Sequence, residues 1–184
     1  MLTDHNNGYI LYTYFESPLG EMMVAATEEG ICLLEFHDRK RLEWELKAIK
    51  NRLNLTLKQG AHPWIDLAIN ELKAYFSGEL KAFTVPLHMT GTPFQSLAWD
   101  TLRTIPYGAV RSYSWQASAI NKSSAVRAVA NANSRNHIAI VIPCHRVIGS
   151  NGKLTGYAGG LWRKEWLIAH EEKYSHSQVF HTSG

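Results

Sequence analysis

Cysteine is nearly absent: the 184-residue chain carries only Cys32 and Cys144. No CxxC pair occurs and no His/Cys cluster has metal-ligand spacing, which argues against a disulfide scaffold and a zinc module. Long apolar runs are missing too, and none approaches the roughly 20 residues that cross a bilayer. The start, Met1 to Asn7, lacks the charged beginning and apolar core of a secretory signal. A soluble, cytoplasmic protein with no membrane partner, acting as a monomer, is the expectation. Charge is sparse: 19% of residues are Asp, Glu, Lys or Arg, against 45% hydrophobic, which marks a globular chain. The net charge of +3 is compatible with a nucleic-acid partner but does not point to one. No internal repeat is visible, and the length holds one compact domain or two small ones.

What is present begins with a β-meander. Tyr9 to Phe15, Glu21 to Thr27 and Ile31 to Phe36 are β-prone, separated by turns at Ser17-Pro18-Leu19-Gly20 and Glu28-Glu29-Gly30. Leu42, Leu46, Ile49 and Leu53 have helical spacing, as do Ile65, Ala68, Leu72 and Phe76 in a second helix from Pro63. Lys81 to Leu87 starts as a further strand, and His88 to Pro93 has the composition of a linker. The spacing then predicts a helix through Phe94, Leu97, Ala98 and Leu102, stopped by Ile105-Pro106-Tyr107-Gly108. Two short helices, Ser114 to Ile120 and Ser124 to Asn133, flank the polar break Asn121-Lys122-Ser123, which supplies N-cap residues. That layout fits a helix-turn-helix, though any two packed helices give the same pattern. Alanine dominates the second, with Arg127 as its one charge. Such a face suits either a minor-groove contact with one inserted side chain or plain core packing. Ser150 to Lys153 is a tight turn and Gly156 to Gly160 a flexible loop. A last helix, Trp162 to about His170, directs Trp166, Ile168 and Ala169 to the core, and a polar tail follows Lys173.

Chemistry concentrates at Ile142-Pro143-Cys144-His145-Arg146. The β-branched run Ile138 to Ile142 has the pattern of a buried strand, and Pro143 ends it with Cys144 at its tip. An imidazole and a guanidinium beside the thiol favour thiolate. The plain alternative is a buried structural cysteine. A catalytic thiol needs a base and the base an orienter. His145 is the base candidate, although neighbours in an extended segment point apart, so contact requires a turn or a bridging water. Either Glu171 or Glu172 could supply the carboxylate.

The run Pro143-Cys144-His145-Arg146-Val147-Ile148-Gly149 resembles the active-site signature of the O6-alkylguanine-DNA alkyltransferases, in their bacterial form. Ile105-Pro106-Tyr107-Gly108, Arg127-Ala128-Val129, Gly156 to Leu161, Lys164 to Leu167 and Ala169-His170-Glu171 extend the likeness, in the family's order, from Thr92 to Glu172. The resemblance implies an α/β fold: a ribonuclease-H-like three-stranded sheet with helices over residues 1–88, and a winged helix-turn-helix DNA-binding and catalytic domain over 89–172, followed by a tail at 173–184. It further implies cofactor-free repair of double-stranded DNA containing O6-alkylguanine or O4-alkylthymine, by irreversible transfer of the alkyl group to Cys144. The lesion would be reached through the minor groove and flipped out of the stack. By the same likeness His145 takes the thiol proton through a water, Glu171 orients His145, Tyr113 donates to the base, and Asn136 braces the turn at Cys144. Ser124, Ala125, Arg127 and Ala128 would face DNA, with Arg127 filling the vacated stack. Val147, Tyr157, Ala158 and Gly159 would form the pocket.

Three departures from the family pattern stand out. Ala158 lies where some relatives have serine, which removes a hydroxyl and leaves room for larger alkyl groups. Ala130-Asn131 replaces smaller residues on the DNA-facing helix. His137 follows Asn136 where proline is usual, which predicts a looser turn. The structural zinc site of some relatives needs cysteines missing here, so no metal is expected. The rival functions are a lesion sensor that binds without reacting, which in the family lacks the cysteine, and a cysteine hydrolase using Cys144, His145 and Glu171.

Overall fold

The computed structural model describes residues 8–176. The expected signal-free start (1–7) and the end of the polar tail (177–184) lie outside the described residues. The meander is present as β1 (Tyr9–Ser17), β2 (Gly20–Thr27) and β3 (Gly30–Phe36), antiparallel throughout. Side chains alternate across a strand, and in β2 that alternation separates two cores. Met22, Val24 and Ala26 face α2 (Pro63–Phe76), while Met23 and Ala25 face α1 (Leu42–Leu53). Cys32 belongs to the α1 side, where burial pushes its thiol up to about 12. Cys32 is thus a buried, inert thiol.

The sheet has four strands, where three were expected. β4 (Thr56–Gln59) pairs parallel with β1, giving the order β3-β2-β1-β4. Its sequence, TLKQ, has one apolar residue and is largely exposed, so no hydrophobic run announces it. Two other expected strands do not form. Lys81 to Leu87 contributes a single bridge, Leu87 to Ile31, and Ile138 to Ile142 another, Ile138 to Leu34. Ile140 adopts φ 71°, which breaks extension, and the segment turns instead. Its β-branched residues signal burial rather than strand. Both bridges close the outer edge of β3: Ile31 exchanges hydrogen bonds with Pro86 and His88, and Leu34 with His137 and Ala139.

The second half is helical. α3 (Pro93–Arg103) opens with a reciprocal capping box between Thr92 and Gln95. β5 (Arg111–Ser112) leads into α4 (Tyr113–Ala119), and α5 (Val126–Ser134) completes the helix-turn-helix. The expected polar cap is not used, since Ala125 holds the N-cap position of α5 without a side-chain bond. A buried amide pair locks the two helices. Gln116 Nε2 donates to Asn133 Oδ1 at 2.9 Å, and Asn133 Nδ2 donates back to Gln116 Oε1 at 2.7 Å. β6 (Val147–Ile148) pairs parallel with β5 as a two-stranded wing. α6 (Leu161–Ser175) runs past the expected end at His170. Its last turn packs where Gly78, at φ 83°, has no Cβ to obstruct the Tyr174 ring. Its buried face is Arg163, Lys164, Leu167, His170 and Glu171; Trp166 packs partly buried against the core as expected, whereas Ala169 is exposed.

Removing one member of the amide pair leaves its buried partner unsatisfied. Asn133→Ala is expected to cost about 1–3 kcal/mol in denaturant unfolding, and Gln116→Leu with Asn133→Leu to recover most of it.

Candidate active site

Cys144 opens a 3-10 turn, Cys144–Arg146, rather than standing at a strand tip. Asn136, just beyond α5, holds that turn in place. Its Nδ2 donates to the Ile142 carbonyl at 2.8 Å and to Cys144 Sγ at 3.2 Å, and its Oδ1 accepts from Ile138 N at 3.0 Å. One buried amide thus fixes both ends of the segment that carries the sulfur. The neighbouring His137, where proline is usual in the family, is itself held. Its ring lies buried between the Arg135 carbonyl and the Thr90 hydroxyl, each 3.2 Å away, and burial lowers its pKa to about 4.

The thiol does not rest as a ready-made thiolate. Burial raises its pKa, and the Asn136 N–H and the charges of Lys164 and Arg39 only partly offset this. A proton acceptor is therefore required. His145, fully buried, is kept neutral chiefly by that burial, against the pull of Glu171. Its Nε2 lies 2.7 Å from Glu171 Oε1. An ionised carboxylate only accepts, so Nε2 carries the hydrogen and Nδ1 is left as a free acceptor. Nδ1 is buried with no protein partner, which marks where a proton can be received.

Glu171, not Glu172, is the carboxylate, and it collects more than His145. Arg146 Nε donates to Oε2 at 2.8 Å and Nη2 to Oε1 at 3.0 Å. Tyr75 O–H reaches Oε1 at 2.8 Å and Gly108 N–H reaches Oε2 at 3.2 Å. Burial alone would raise this carboxyl, yet His145 and Arg146 overcome it and hold it far below the usual range.

Tyr113, at the start of α4, donates its O–H to the Thr155 carbonyl at 2.9 Å. Lys164 Nζ, on α6, donates to the same carbonyl at 2.9 Å and lies 3.4 Å from the Tyr113 oxygen. Burial brings Lys164 down to about 8. Tyr113 can thus release Thr155 to another donor when a ligand needs its proton. Tyr157, Ala158 and Gly159 line a cavity of about 570 Å³ together with Asp38 to Arg41 and Ser134. Neither Cys144 nor Val147 lines it, and Val147 is fully buried in the core. A Cβ on Gly159 would collide with Phe36 and Tyr157. Ser124, Arg127 and Ala128 are exposed and Ala125 is half-buried. Among the described residues no group of three or more His, Cys, Asp or Glu could hold a metal ion.

Sequence reasoning missed Tyr75, Gly108 and Arg39 as parts of this site, and gave no role to Lys164. For Lys164 a signal existed: with the α6 face centred on Leu167, Lys164 and Glu171 fall seven residues apart on it as inward-pointing charges. Tyr75 has no comparable mark, because it resembles any core aromatic on α2.

Glu171→Gln leaves Arg146 and His145 without their counter-charge and is expected to cost about 3–5 kcal/mol near neutral pH. Because the folded carboxyl is depressed, its contribution is complete above the unfolded value of about 4.3 and fades as pH falls below it. The gap between wild-type and variant melting temperatures should therefore close in acid, as read by calorimetry from pH 7 downward.

The sequence model of the 6-O-methylguanine DNA methyltransferase ribonuclease-like domain matches residues 10–89, and that of the DNA binding domain of the same family matches residues 93–173. A methylated-DNA–protein-cysteine methyltransferase of Methanosarcina acetivorans is 45% identical over 158 residues, 85% of this chain and 95% of its own. The constitutive enzyme of that name from Bacillus subtilis is 40% identical over 167 residues, covering 91% and 98%. Among solved structures, the O6-methylguanine methyltransferase of Mycobacterium tuberculosis superposes with a TM-score of 0.78 at 39% identity, covering 92% of this chain and 97% of that one. A complex of the Mycobacterium tuberculosis protein with DNA superposes at 0.76 and 40% identity, covering 89% and 94%. A half-buried thiol with a buried imidazole and carboxylate beside a helix-turn-helix, in a chain matched along most of its length, leaves one assignment: the chain belongs to the 6-O-methylguanine DNA methyltransferase family.

Proposed function

We propose that this protein repairs DNA directly by moving the alkyl group of O6-alkylguanine, and of O4-alkylthymine, to Cys144. The observation that carries this reading is the buried, unpartnered Nδ1 of His145, a base that follows directly in sequence on a thiol that burial keeps protonated. The duplex meets the exposed Ser124, Arg127 and Ala128. The first N–H groups of α5, uncapped by any side chain, can take a backbone phosphate. The lesion swings out of the stack at a cost of a few kcal/mol, and Arg127 fills the gap. The complex of a similar protein with DNA supports a DNA partner.

In the reaction the thiol proton passes through a water to His145 Nδ1, and the resulting imidazolium is stabilised by Glu171. Sγ attacks the alkyl carbon, so an S–C bond forms as the C–O bond to the base breaks. Tyr113 releases Thr155 and gives its proton to the departing base, while Lys164 retains the Thr155 carbonyl. Asn136 steers the sulfur throughout. The product is a thioether, a poor leaving group, and no second thiol is placed to regenerate it: Cys32 is buried on the other face of the sheet. Each chain therefore acts once, as a monomer and without a cofactor. Both cysteines are free thiols, which fits the reducing cytoplasm.

Intact mass after mixing with a duplex containing one O6-methylguanine should rise by one methyl group, located at Cys144 and not repeated with fresh DNA. Cys144→Ala should bind the duplex and gain nothing. Wild-type protein that binds the duplex without gaining mass would make it a lesion sensor instead.

A further inference from the structure

Arg39 lies in the loop after β3, far in sequence from the thiol, yet its guanidinium reaches the residues that hold the thiol. Nη1 donates to the Asn136 carbonyl at 3.1 Å and Nη2 to the Ser134 carbonyl at 2.9 Å. Ser134 ends α5, the helix that carries Arg127, and Asn136 is the amide bonded to Cys144 Sγ. The guanidinium is itself fixed from behind. Glu35, on β3, accepts from Nη1, and Glu45, on α1, has Oε1 2.8 Å from Nη2. All three side chains are nearly inaccessible, at 2–4% exposure for each charged group. Two buried carboxylates around one cation are expensive, and burial raises the pKa of both, Glu45 to about 7. A core built for stability alone would place apolar side chains here.

We infer that Arg39 is a positioning residue for alkyl transfer: its fork sets the turn between α5 and Cys144, so that Asn136 aims at the sulfur. The first half of the chain thereby acts on the chemistry of the second. Lysine cannot replace it, because a single ammonium offers no planar fork for two carbonyls. This rests on the reading of Cys144 as the alkyl acceptor and adds a claim about what orients it.

The test compares full-length wild type, Arg39→Gln, Arg39→Lys and the double variant Glu35→Gln with Arg39→Gln. The double variant removes the clamp together with one of the two carboxylates it would strand, and it serves if Arg39→Gln does not fold. Three readouts are taken below the melting temperature: binding of a methylated duplex, single-turnover methyl transfer at saturating duplex, and the pH profile of Cys144 alkylation by iodoacetamide. Losing bonds to a charged group should slow transfer by about tenfold or more in Arg39→Gln, with duplex binding unchanged. The iodoacetamide profile should move to higher pH, since the Asn136 N–H no longer favours the thiolate. Arg39→Lys should show the same loss of transfer. Recovery by lysine would reduce Arg39 to a distant charge, and a lowered melting temperature with unchanged transfer and profile would make it structural only; either overturns the inference. A shifted iodoacetamide profile in a protein whose wild type transfers no methyl would instead overturn the alkyl-acceptor reading and leave the clamp standing.

Discussion

A single buried carboxylate, Glu171, joins its own helix to three other parts of the chain. It accepts from Tyr75 of the second helix, from the amide of Gly108 in the proline turn, and from His145 and Arg146 in the turn of the thiol. A lone charge at such depth would be prohibitive, so the site forms only when all of these donors arrive together. Catalytic order and folding cooperativity are in this sense one property. Arg146 extends the network by giving Nη1 to the Ile105 carbonyl, which pins the proline turn from its other side.

A second buried charged cluster also reaches the residues around the sulfur. Where Glu171 acts on the base, Arg39 with Glu35 and Glu45 bears on Asn136. Two buried ionic assemblies thus reach the segment that carries the thiol, one through His145 and the other through Asn136. In the second cluster the charges oppose each other at the sulfur, Glu35 raising the thiol pKa and Arg39 lowering it, so burial prevails and the thiol stays protonated.

Much of this was legible in the chain. Helical spacing located α1, α2 and α3 to within a residue or two, since apolar stripes and end signals agreed there. The meander likewise followed from turn residues. What escaped has physical causes. β4 is short, polar and at a sheet edge, so it has no core face to advertise. The Ile138 to Ile142 run was misjudged as a strand because burial and extension favour the same β-branched residues. Glu171 was one of two sequence candidates, and only packing separates them: Glu171 is 1% exposed while Glu172 faces solvent. Arg39 had no signature, since its meaning depends on carbonyls about a hundred residues away.

Every residue of β3 is buried, and its free edge is closed by hydrogen bonds from Pro86 and His88 at one end and from His137 and Ala139 at the other. An apolar strand with an open edge is a template for further strands. The segment leading to the nucleophile is therefore also the cover that keeps this sheet from recruiting other chains. A change that withdraws that segment, even one made for reasons of reactivity, uncovers a surface on which polymer growth can begin. Solubility and repair draw on the same few backbone bonds.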